Sequence, residues 1–124
     1  MKSTELVSMP VSDQQKAKEF YLNIGYQMIV EQPMNETSSW IQVGLPGDST
    51  TLSLVSKGID PSTVPGTFHG LMLITEDINK DIEDLRAKGI EVTDADNTPW
   101  GKFCHFRDPD GNTLSLHEAP AGGY

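Results

Sequence analysis

Residues 108–116 read Asp108-Pro109-Asp110-Gly111-Asn112-Thr113-Leu114-Ser115-Leu116, and this stretch decides the fold. Its first five residues are tight-turn chemistry. Pro109 pre-sets its own φ, Gly111 supplies a positive φ, and Asp108, Asp110 and Asn112 can bond back to local backbone. The apolar stretches on either side, 103–106 and 114–116, read as strands, so the segment predicts a hairpin. A fainter copy lies upstream: Gly47-Asp48-Ser49-Thr50, then Thr51-Leu52-Ser53-Leu54. Thr-Leu-Ser-Leu thus occurs twice, 62 residues apart. A second pair of anchors agrees. Asp13 opens a helical pattern that closes at Gly25, and Asp77 opens another that closes at Gly89, 64 residues further on. A repeat of about 60 residues present only twice is not a solenoid. It predicts two similar half-domains packed into one fold.

Composition bounds what those halves do. A chain of 124 residues is long enough for one domain with a real core. No run approaches the roughly 20 apolar residues that span a membrane, and the N-terminus lacks a basic region followed by an apolar block, so a cytoplasmic protein is expected. Cys104 is the one cysteine and cannot form an internal disulfide. Its apolar neighbours predict a buried, inert thiol. A net charge of −9 disfavours nucleic acid, whose phosphates need a basic patch. The same charge raises the local concentration of cations, which permits a cationic or metal-bearing ligand.

Alternation and capping place the elements. Residues 4–11 read as a strand, with Val7, Met9 and Val11 on one face and Leu6, Ser8 and Pro10 on the other; Pro10 marks a strand end or an edge. Asp13 or Ser12 caps a helix running to about Asn23, with Ala17, Phe20, Tyr21 and Ile24 as its apolar stripe. Strands follow at 26–31, 39–43 and 50–56. The segment 57–67, with Gly58, Pro61, Pro65 and Gly66, reads as a linker. The order then repeats: a strand at 68–75, a helix at 77–88 burying Ile78, Ile82 and Leu85, and strands at 91–93, 102–107 and 113–118. The chain is expected to be one domain, 1–124, built from modules at about 4–56 and 68–118, with a flexible tail at 119–124. Both halves are β-α-β-β-β, which implies an α+β fold with curved, mostly antiparallel sheets.

That repeated order resembles the vicinal-oxygen-chelate superfamily, which includes glyoxalase I, extradiol dioxygenases, and fosfomycin- and bleomycin-resistance proteins. The matching residues are Val11-Ser12-Asp13 with Lys16 to Tyr21, Ile24-Gly25-Tyr26, Leu85 to Ile90, Pro99-Trp100-Gly101, and Phe106 to Asn112. The resemblance implies that the two modules curl into a cup around a ligand or metal. It also implies inward metal-ligand positions, filled in metal-dependent members by His, Gln or Glu. In this chain those positions hold Leu6, Ser53, Gly70 and Ser115. None offers imidazole or carboxylate, so no metal cofactor is expected there, and the metal-dependent chemistries are disfavoured. His69 lies one residue from an expected position, and strand alternation sends it to the face opposite Gly70.

Alternation from Ser115 and pairing across the turn set Arg107 against Thr113, His105 against Ser115 and Phe103 against His117. The expected ligand-binding residues are therefore Ser8, Trp40, Gln42, Ser53, Met72, Trp100, Phe103, His105, Ser115 and His117. Aromatic and aliphatic walls with a few hydroxyls, an amide and two imidazoles suit a small organic ligand. They also suit a filled core in which His105 simply bonds Ser115. Bleomycin-resistance-type relatives are acidic, metal-free binders and commonly dimers. The resemblance thus implies a small-molecule binder, a homodimer, that sequesters a cationic or aromatic compound. The alternative is a glyoxalase-like lyase or other metal-dependent enzyme with a displaced site drawn from His69, His105 or His117. No nucleophile-base-orienter trio is readable.

Overall fold

Asp13 and Asp77 act alike in a computed structural model that describes residues 1–122. The Asp13 carboxylate accepts from the backbone N–H groups of Gln15 and Lys16 and opens α1 (Gln14–Asn23). The Asp77 carboxylate accepts from Lys80 N–H and opens α2 (Ile78–Ala87). In each case an extended capping residue satisfies donors that the first helical turn leaves orphaned. Gly25 and Gly89 then turn the chain out of the helices at positive φ.

Four strands accompany each helix. With α1 go β1 (Leu6–Pro10), β2 (Gln27–Pro33), β3 (Ser39–Gly44) and β4 (Thr51–Val55); with α2 go β5 (Leu71–Ile74), β6 (Asp96–Thr98), β7 (Gly101–Arg107) and β8 (Thr113–Glu118). The sheets have the same order, β1-β4-β3-β2 and β5-β8-β7-β6. β1 runs parallel to β4 and β5 to β8, and every other pairing is antiparallel. The fold is α+β, two β-α-β-β-β modules with mixed, mostly antiparallel sheets. Pro10 ends β1, an edge strand, where its missing N–H costs no ladder bond.

The chain forms two compact units: Met1–Phe68 with Pro109–Asn112, and His69–Asp108 with Thr113 onward. In the first, α1 buries Ala17 and Tyr21 together with Met9, Val11, Ile41, Val43, Leu52 and Leu54. Gln14, absent from the expected stripe, is buried too. Its Nε2 donates to the carbonyls of Ser39 (2.7 Å) and Leu54 (2.8 Å), and its Oε1 accepts from Ser39 N–H (3.1 Å). The amide is therefore fully paired where an unpaired one would be costly. In the second unit α2 buries Ile78, Ile82 and Leu85, and the sheet buries Cys104, Phe106, Leu114 and Leu116. Each of those large apolar side chains contributes roughly 1.5–3 kcal/mol. Burial pushes the Cys104 thiol up from its ordinary range, as an inert thiol requires. Glu118 turns to the helix side, where its Oε1 accepts from Ile78 N–H at 2.9 Å.

Several expected boundaries shift. Residues 68–70 are not strand, and β5 begins only at Leu71. The expected strand at 91–93 is a single bridge, Val92 to Phe106, and the third-from-last strand is instead Asp96–Thr98, a polar segment with no apolar alternation to announce it. The segment 57–67 is a series of hydrogen-bonded turns. Of the tail expected at 119–124, residues 123–124 lie outside the described residues.

The segment 108–116 folds as the expected hairpin, but its turn side chains act at long range. Asp110 accepts from the N–H and hydroxyl of Ser12. Asn112, fully buried, donates from Nδ2 to Pro10 O (2.7 Å) and accepts at Oδ1 from Phe68 N–H (3.1 Å). Residues 109–112 thereby belong to the first unit rather than to the hairpin that contains them.

Candidate functional site

One face of the second sheet packs against α2; the other carries the candidate residues of that half. The β7–β8 register is the expected one: Arg107 opposite Thr113, His105 opposite Ser115, Phe103 opposite His117. In the parallel register, Met72 lies beside Ser115 and Ile74 beside His117. Phe103, His105, Ser115, His117 and Met72 therefore share one face.

The face has an aromatic end and a hydroxyl end. Phe103 and His117 stack with ring centroids 4.4 Å apart and planes 5° from parallel. His117 Nε2–H donates to Trp100 O at 2.8 Å. It is thus the Trp100 backbone that meets this face, while the residue as a whole is 65% exposed. Gly101, at φ +122°, makes this approach possible: a Cβ there would lie 2.2 Å from Glu118 O and 2.8 Å from His117 Nε2. His105 Nδ1 shares a 2.8 Å hydrogen bond with Ser115 Oγ. Met72 is 51% exposed and Ile74 is 87% exposed, so large apolar side chains lie open beside the polar row.

His69 corrects an expectation. Because residues 68–70 leave the strand, alternation does not govern His69, and its Nδ1 shares a 2.7 Å hydrogen bond with Thr113 Oγ1. Thr113 is two residues from Ser115 and points to the same face. All three histidines thus engage this face of the second unit, His69 and His105 exposed and His117 buried. Among the described residues, no three His, Cys, Asp or Glu side chains gather as metal donors.

The first unit holds the other candidates: Ser8, Trp40, Gln42 and Ser53. Ser8 pairs beside Ser53, and Gln42 lies opposite it. Trp40 Nε1–H donates to Gln42 Oε1 (3.1 Å), Gln42 Nε2 donates to Thr51 Oγ1 (2.7 Å), and Thr51 Oγ1 donates to Glu5 O (3.2 Å). This row consumes its own polar groups. Ser53 is 0% exposed, and its Oγ has no hydrogen-bond partner among the described residues. Of the four positions expected from the resemblance to be metal-ligand positions, Leu6 is half-buried, Ser53 buried, Gly70 exposed just before β5, and Ser115 bonded to His105.

The duplicated β-α-β-β-β modules and these sheet faces match a known class. Residues 5–116 fit the family model of the Glyoxalase/Bleomycin resistance protein/Dioxygenase superfamily, and the chain belongs to that family. More particularly, it is similar to TnmS3, an antibiotic binding protein from Streptomyces sp. CB03234, at 39% identity with a TM-score of 0.89, covering 97% of this chain and 98% of the other. A glyoxalase/bleomycin resistance protein from the same strain is 41% identical with a TM-score of 0.80, over 93% and 99% of the two chains. The uncharacterized protein YetH of Bacillus subtilis (strain 168) is 31% identical over 120 residues, 95% of this chain and 99% of its own. Among the described residues, no helix is long and apolar enough to cross a membrane.

Proposed function

We propose that this chain binds a small organic molecule on the open face of its second sheet, without a metal, and sequesters an aromatic or cationic compound. The observation that carries the reading is the parallel Phe103–His117 stack beside exposed Met72 and Ile74. His117 is buried and covers one face of the half-buried Phe103, so an aromatic ring would meet Phe103 together with the exposed Met72 and Ile74, and the exposed His105, bonded to Ser115 through Nδ1, offers its Nε2 to orient it. The net charge of −9 favours a cationic compound over an anionic one. Similarity to an antibiotic binding protein supports the same class of ligand. The remaining candidates, Ser8, Trp40, Gln42 and Ser53, stay proposed as ligand contacts of the first unit. The protein would act in the cytoplasm as a homodimer; sedimentation at micromolar concentration should then give a species near twice the 13.6 kDa chain mass.

The metal-dependent alternative draws on one observation, the placement of His69 on the Thr113–Ser115 row. Hydroxyl, leucine and glycine at the family's ligand positions, and no gathered donor trio among the described residues, favour the metal-free reading. Calorimetric titration tests both. Proflavine, a planar aromatic cation, should bind chelator-stripped protein, and Phe103→Ala should weaken it about tenfold, in line with the loss of an aromatic stacking partner. Zn²⁺ and Mn²⁺ should give no stoichiometric heat. Tight metal binding lost in His69→Ala or His105→Ala would replace this reading with the enzyme.

A further inference from the structure

The first unit contains an open surface pocket of about 220 Å³ that the face on the second sheet does not include. Pro10, Val55 and Phe68 give it apolar walls. Ser8, Thr63 and Thr67 add hydroxyls, and Asp60 adds one carboxylate.

The walls are built in advance. Asn112 holds two of them at once, donating to Pro10 O and accepting from Phe68 N–H. The intervening segment is fixed by Asp60 N–H to Ser56 O, Thr63 N–H to Asp60 O and Thr67 Oγ1 to Val64 O. The Asp60 carboxylate lies exposed at the rim and is held by one oxygen only. Its Oδ1 accepts from the N–H and the hydroxyl of Ser62, and these bonds hold the carboxyl below its ordinary range; Oδ2 has no partner among the described residues. A preoriented carboxylate with one oxygen free, beside a phenyl ring and two aliphatic walls, has the chemistry of a cation site.

We propose that this pocket is a second binding site, selective for a small organic cation: an ammonium group on an aryl or alkyl body. The ammonium meets Asp60 Oδ2, the body lies against Pro10, Val55 and Phe68, and the hydroxyls take the remaining N–H groups. A pocket smaller than the roughly 300–1,000 Å³ of drug-sized ones limits the ligand to about one ring.

The test is titration of the full chain with benzylammonium, followed by backbone amide NMR shifts. Saturable shifts should centre on Ser8, Thr63, Thr67 and Phe68, with Kd on the order of 1 mM for so small a probe. Benzyl alcohol, its neutral counterpart, should bind at least about tenfold more weakly, and Asp60→Asn should remove that discrimination. The asparagine amide keeps an oxygen acceptor for Ser62, so Asp60→Asn retains the turn, which the variant's own amide spectrum verifies. Equal binding of the two probes, unchanged discrimination in Asp60→Asn, or shifts confined to residues 69–108 would each overturn the proposal. Because the probe and the residues differ from those of the Phe103–His117 face, either site can fail alone.

Discussion

The two copies of Thr-Leu-Ser-Leu occupy the same place in the two sheets and meet opposite fates. Ser53 and Ser115 each sit mid-strand, between a parallel neighbour and an antiparallel one. Opposite Ser115 stands His105, which bonds it. Opposite Ser53 stands Gln42, which turns instead to Trp40 and Thr51 and leaves the serine hydroxyl unpaired among the described residues. The preceding threonines diverge likewise: Thr51 bonds Gln42 and Glu5, whereas Thr113 bonds His69. The duplicated tetrapeptide specifies the strand; the residues opposite it specify the chemistry. Both rows pair their polar groups internally, Ser53 excepted; the second differs in leaving His69 and His105 exposed beside the open side chains of Met72 and Ile74.

The largest difference between the copies should come from the turns before them. Asn112→Ala removes a fully buried side chain and leaves two half-buried backbone groups, Pro10 O and Phe68 N–H, without it, and should cost about 2–3 kcal/mol. Its counterpart Thr50 makes one long bond to Thr4 O at an exposed site, so Thr50→Ala should cost no more than about 0.5 kcal/mol. Urea unfolding of the two variants reads the contrast, and equal losses would dissolve it.

Next in size is Gly101→Ala. The positive φ and the clash with Glu118 O together should cost about 2–3 kcal/mol. Because His117 Nε2 lies in the path of the new methyl, proflavine affinity should fall as well. Ser39, which starts the equivalent strand β3, has its backbone bonded to Gln14, and Ser39→Ala should leave stability within about 0.5 kcal/mol.

The serines themselves give a smaller but more pointed test. Ser115→Ala removes a made hydrogen bond and should destabilise by about 1 kcal/mol. Ser53→Ala removes a buried, unpaired hydroxyl and should be neutral or stabilising by up to about 1 kcal/mol. A Ser53→Ala loss as large as that of Ser115→Ala would show that Ser53 is bonded in solution.

The mildest effect is alkaline. Burial, with the charge of Asp48 added, raises the Tyr26 phenol well above its ordinary range. A folded pKa above the unfolded one means that the unfolded chain gives up its proton first. Stability from this group is then complete below about pH 10 and declines as pH rises beyond it. Tyr26→Phe should flatten that decline in urea unfolding at pH 8 and 11.

The sequence disclosed the framework because framework signals are local. Asp13 and Asp77 as caps, Gly25 and Gly89 as exits, and the alternation of 113–118 each act within a few residues, and the cross-strand pairs of β7 and β8 follow from the turn between them. What stayed hidden depends on distant partners. Asp110 and Asn112 carry turn residues' identities but bond Ser12, Pro10 and Phe68, all far away along the chain. His69 escaped its assigned face because nothing in Phe68-His69-Gly70 announces that pairing begins only at Leu71. Gln14 left one trace, its i, i+3, i+7 spacing with Ala17 and Tyr21, but a polar side chain in an apolar stripe is recognisable as buried only once its carbonyl partners are placed.

The measurement that bears most directly on this account is an amide NMR titration of the wild-type chain with proflavine. Saturable shifts should concentrate at Met72, Phe103, His105, Ser115 and His117, and in Phe103→Ala they should need about tenfold more proflavine to saturate. Shifts centred on Trp40 and Gln42 with that second-sheet face unmoved, or no saturable binding, would contradict it.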